Sequence, residues 1–115
     1  MTQQEKQLLL KDLSARLPYG VKVDVSRVEE WKELTLTPFI LANYYDDIEK
    51  VKPYLRPMSS MTKEERKYYN SQSILIADGE CDVYEEMDWL NAHHFDYRGL
   101  IEKSLAIIAP EDMYK

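Results

Sequence analysis

Between residues 9 and 25 the apolar residues change their spacing, and that change limits the folds open to the chain. Leu9, Leu10, Leu13 and Leu17 recur at helical intervals, with Lys6, Lys11 and Asp12 off their face. Pro18-Tyr19-Gly20 then interrupts, because proline disfavours helix at the residue before it. Val21, Val23 and Val25 alternate with Lys22 and Asp24, the pattern of a strand with one buried face. A chain that switches so abruptly from one period to the other must pack a helix against a sheet. The helix start is marked separately. Thr2 and Glu5 form a capping box, in which each side chain satisfies the other's backbone N–H.

The remaining segments extend this plan. SRVEEWK (26–32) reads as a turn or loop, and ELTLT (33–37) alternates again, so an antiparallel hairpin is expected. Pro38 ends or bends the second strand. FILANYY (39–45) fits strand or helix equally. Residues 46–61 hold two prolines and two serines and read as an ordered loop with an early helical turn, anchored by Tyr54 and Leu55. Thr62 and Glu65 make a second capping box opening a short helix, TKEERKYYN, and SILIA (73–77) is a third strand candidate before the Asp78-Gly79 turn. From Glu80 the spacing is helical, with Val83, Met87, Leu90 and His94 on one face. A last helix is expected on Tyr97, Leu100, Ile101, Leu105 and Ile108, with Asp96 as its N-cap and Ala109-Pro110 as its end. The expected architecture is a single α+β domain over 1–115. A small antiparallel sheet of about three strands packs against N-terminal and C-terminal helices.

Charge and composition narrow the function. The net charge of −6 is uneven: residues 1–77 carry 12 Lys and Arg against 11 Asp and Glu, and residues 78–115 carry 3 against 10. Nucleic-acid binding needs a positive footprint to displace counterions, so no direct nucleic-acid contact is expected. An acidic C-terminal third instead suits a basic partner surface. No apolar run is long enough to span a membrane, and the N-terminal MTQQEKQLLLKDL lacks the basic start and apolar core of a signal peptide. One cysteine, Cys81, has no partner for an internal disulfide, which agrees with a cytoplasmic location.

The segment DWLNAHHFDYRGL (88–100) gathers both histidines, a tryptophan, a phenylalanine and an arginine. Adjacent helical residues point about 100° apart, so His93 and His94 cannot share a metal from a regular helix. Pairing Glu86 or Asp96 with His93 leaves a third ligand to come from Asp78 or Cys81, and no metal or other cofactor is expected. Asp78, Glu80 and Asp82 start like a calcium loop, but Val83 and Trp89 occupy the positions that need Gly and Glu. Ser59, Ser60 or Cys81 could serve as nucleophile, yet no G-x-S-x-G elbow is present, and three glycines cannot form a phosphate cradle. The simpler reading makes 88–100 a helix–helix elbow, with the His94 ring bonded to a backbone carbonyl. Nine tyrosines are the remaining unusual feature, and Tyr suits binding surfaces. The expected contact surface is Trp31, Tyr45, Tyr54, Arg56, Tyr69, His93 and Arg98.

KDLSARLPYGV (11–21), KPYLRPMSSMT (52–62) and DWLNAHHFDYRGLIEKSLAIIAPEDMY (88–114) together resemble a group of short proteins encoded by gut Bacteroidales, their phages and mobile elements. The resemblance covers most of the chain and implies a bacterial or phage cytosolic setting. It brings no activity, cofactor or catalytic residue with it. The expected function is a non-enzymatic module that binds another protein. Its sharper form is a phage-type acidic inhibitor of a host nucleic-acid-binding enzyme. The rival is a small hydrolase or metal-binding protein using His93, His94 and Asp96. Homodimer formation through a sheet edge is a third reading.

Overall fold

The computed structural model describes residues 1–25, 33–77 and 83–114. Helix α1 spans Gln3–Arg16, and its Thr2–Glu5 capping box is present in both directions. Strand β1 (Lys22–Val25) pairs antiparallel with β2 (Leu34–Thr35) on one side and with β3 (Val51–Leu55) on the other. Helix α2 (Pro38–Asn43) resolves the ambiguity of FILANYY. The Thr37 hydroxyl caps it by accepting the Ile40 N–H. Helices α3 (Lys63–Ala77) and α4 (Val83–Ala92) follow, and strand β4 (Ile107–Ile108) joins β3 in parallel. The sheet order is β2-β1-β3-β4. The fold is α+β, with a mixed four-stranded sheet in place of the expected three antiparallel strands.

Three segments differ from expectation. SILIA continues α3 to Ala77 and is not a strand. The third strand lies in the segment read as a loop, where Pro53 disguises it. Val23 pairs with Pro53, so Lys22 faces Tyr54. The Lys22 N–H and Tyr54 C=O both point into the β1–β3 gap, because one hydroxyl contacts both. Alternation then places Pro53 in a non-hydrogen-bonded pair, where its missing N–H costs the β1–β3 ladder nothing. The last helix does not form. Gly99 and Ser104 have φ of 74° and 61°, outside the right-handed helical region, and residues 100–104 run as turns. Its stripe still works, because Leu100 and Leu105 are buried in the core.

The core lies between α1 and the sheet. Leu9 and Leu13 meet Val21, Val23, Val25, Val51 and Leu55, all fully buried, with Leu10 and Leu17 packed at the margin. A fully buried branched side chain contributes about 1.5–3 kcal/mol, so this layer is the main source of stability. No helix among the described residues is long and apolar enough to cross a membrane.

Candidate functional site

Where β3 ends, β1 has already turned away, and other groups complete the sheet. The Arg56 N–H donates to the His94 C=O at 2.7 Å, and the Arg56 C=O accepts the Asp96 N–H at 2.8 Å. Residues 94–96 therefore occupy the flank of β3 that β1 vacates. Between the two lies the Tyr114 hydroxyl. It accepts the Lys22 N–H at 2.9 Å and donates to the Tyr54 C=O at 2.7 Å. One hydroxyl thus replaces a rung of the ladder. Burial pushes the Tyr114 phenol up to about 12, so it keeps the proton that this bridge requires.

The C-terminal end of α4 explains both histidines. His94 N–H donates to Asn91 C=O, and Phe95 N–H to Leu90 C=O, the paired bonds of a Schellman motif. The residue after the cap must then be left-handed, and His94 sits there with φ of 63°, a place usually taken by glycine. Its ring is compensated by stacking on Tyr114, with centroids 3.7 Å apart. Burial, with Arg16, His93 and Arg56 nearby, pulls the His94 pKa down to about 4. Its Nδ1 has no hydrogen-bond partner among the described residues, so the expected ring-to-carbonyl bond is not made by His94. His93 makes one instead, through Nδ1 to the Trp89 carbonyl at 2.9 Å. A carbonyl only accepts, so Nδ1 carries the hydrogen.

Asp96 is committed elsewhere. Its two oxygens accept the Leu100 and Ile101 N–H groups at 2.8 and 2.9 Å. His93, His94 and Asp96 therefore face three different surroundings and do not converge on one point. Among the described residues no three His, Cys, Asp or Glu side chains gather as a metal ligand set. Cys81 and the Asp78–Asp82 acidic run lie outside the described residues.

Arg56 is the hub of the remaining site. Its guanidinium donates twice to Glu65, at 2.9 and 2.7 Å, and lies 4.2 Å from the Phe95 ring centroid. The Arg56 bond holds the Glu65 carboxyl down to about 2, and Glu65 also accepts the Thr62 N–H of its capping box. An aromatic row extends from Phe95. Trp89 lies 5.8 Å from Phe95, 4.5 Å from His93, 5.0 Å from Tyr68 and 6.4 Å from Tyr69.

These groups border a cleft of about 620 Å³, within the usual range for ligand sites. Its lining includes Arg56, Glu65 and His93 and, from the C-terminal segment, Ile108, Pro110, Glu111 and Tyr114. Ile108 is 58% exposed at this edge. Ser60 also lines the cleft, but its hydroxyl donates to the Pro57 carbonyl at 2.7 Å.

The predicted contact residues divide accordingly. Arg56 and His93 meet in the cleft, and Tyr69 belongs to the aromatic row behind it. Tyr45 is exposed and lies outside this cleft. Tyr54 is buried in β3, so its ring is no outward contact. Trp31 lies outside the described residues. Arg98 is committed to a buried cluster that periodicity missed. Asp12, expected off the apolar face, is fully buried and accepts Arg16 Nε at 2.9 Å and Arg98 Nη1 at 2.8 Å. Arg16, also fully buried, donates a further bond to the Phe95 carbonyl at 2.6 Å. The i,i+4 spacing of Asp12 and Arg16 was the available signal. Sequence reasoning also missed Ile108 and Tyr114 as cleft walls, because each depends on the return of the C-terminal segment to β3. Comparison of the chain with family models, with curated proteins and with solved structures returned no match.

Proposed function

We propose that this protein is a non-enzymatic binding module whose partner is another protein, and that the cleft beside β4 seats a segment of that partner. One observation carries the reading: the lining side chains Arg56, Ser60, His93 and Tyr114 each already bond within the chain. Arg56 donates twice to Glu65, the Ser60 hydroxyl donates to the Pro57 carbonyl, His93 Nδ1 bonds the Trp89 carbonyl, and the Tyr114 hydroxyl bridges two backbone groups. Groups held in this way offer shape and an apolar edge at Ile108, and leave no nucleophile–base pair poised among them. The resemblance to Bacteroidales and phage proteins makes a bacterial lysate the source in which to seek the partner. The test is capture by immobilised protein, followed by the same capture with Ile108→Asp. The expected result is one stoichiometric partner that Ile108→Asp loses. A partner retained equally by both proteins would place the binding surface elsewhere.

A further inference from the structure

The cleft has a sign as well as a shape. Its Arg56 is paired twice with Glu65, and that carboxylate is ionised throughout the physiological range, so the pair is electrically closed. Glu111 is exposed in the same lining and forms no ion pair among the described residues, since the lining cation Arg56 is held by Glu65. The open charge of the cleft is therefore the Glu111 carboxylate, and the exposed Ile108 side chain lies in the same lining. A phosphate or carboxylate entering here would meet Glu111 and find no unpaired cation.

We infer that the cleft selects an extended partner segment in which aliphatic residues adjoin Lys or Arg. The aliphatic side chain packs against Ile108 and Pro110, and the cation meets Glu111. This rests on the reading of the cleft as a protein-binding site and adds its charge preference. Opposed potentials across an interface set partner choice more than total affinity, so discrimination is the quantity to measure.

The probes are two fluorescein-labelled ten-residue peptides, one of alternating Leu and Lys and one of alternating Leu and Glu. Each is titrated by fluorescence anisotropy at about 0.15 M salt, where contacts beyond roughly 8 Å are screened. The Leu/Lys peptide is expected to bind at least about tenfold more tightly. Glu111→Lys should weaken it by about tenfold and improve the Leu/Glu peptide, whereas Glu102→Lys, an exposed charge outside the cleft, should change neither. Circular dichroism establishes that both variants are folded. Equal binding of the two peptides, or equal effects of the two substitutions, overturns the inference. If neither peptide binds while lysate capture still requires Ile108, the charge preference is wrong and the cleft reading stands. If capture ignores Ile108, the cleft reading itself falls.

Discussion

Tyr114→Phe removes one oxygen atom and isolates the sheet junction as a quantity. The ring remains, so its stack on His94 is kept. What disappears is the hydroxyl between the Lys22 N–H and the Tyr54 C=O, at 2.9 and 2.7 Å. Both backbone groups then face a gap with no partner. A buried unsatisfied group costs about 1–3 kcal/mol, and these two are partly buried, so about 2–3 kcal/mol in total is expected. For a chain of this length that lowers the melting temperature by about 10 °C. The assay is urea unfolding followed by circular dichroism, with Tyr45→Phe as control, since Tyr45 is 60% exposed. The control should stay within about 0.5 kcal/mol of the parent. An unchanged slope of free energy against urea is required, so that the shift reports stability. A Tyr114→Phe loss no larger than that of the control would refute the account of a hydroxyl acting as a sheet rung.

Other outcomes follow from the same geometry. His94 has its pKa lowered from 6.5 to about 4 in the fold, so the unfolded chain takes up its proton first as pH falls. Stability should therefore decline between about pH 6.5 and pH 4 by up to about 3 kcal/mol, and His94→Asn, which tolerates the left-handed backbone, should flatten that decline in pH-dependent urea midpoints. Glu65 has its pKa lowered from 4.5 to about 2, so its contribution is present above pH 4.5 and lost from there towards pH 2; Glu65→Gln should remove that second acid step. Asp12→Ala leaves Arg16 buried without its counter-charge and should cost about 3–5 kcal/mol in the same assay. Ser104 is exposed with φ of 61°, so Ser104→Gly should stabilise by about 0.5–1 kcal/mol, seen as a higher melting temperature.

Local chemistry was legible and long-range chemistry was not. The Thr2–Glu5 and Thr62–Glu65 capping boxes and the α1 stripe are set by residues within a few positions of one another, and the β1–β2 pairing by neighbouring segments that each alternate. β3 escaped because Pro53 lowers strand propensity, and only the register with β1 shows that its missing N–H is tolerated. The failed last helix shows the reverse case. A correct apolar period was overridden at Gly99 and Ser104 by left-handed backbone, and β4 took the end of the stripe. At the site, Arg56 and His93 were recognised by type. Glu65, Ile108 and Tyr114 were not, because their roles come from which segments return to β3.

The hydroxyl bridge joins residues 92 positions apart in the chain, whereas β1 pairs with β2 through residues nearer in sequence, Val23 with Leu34 and Lys22 with Thr35. Closing so long a loop is slow relative to local pairing. The junction therefore belongs to the last stage of folding, and its loss should appear in the unfolding rate alone. In stopped-flow experiments Tyr114→Phe is expected to speed unfolding, leave refolding unchanged and give a φ-value near zero. Tyr114 would then govern how long the native state lasts, without deciding how quickly it is reached.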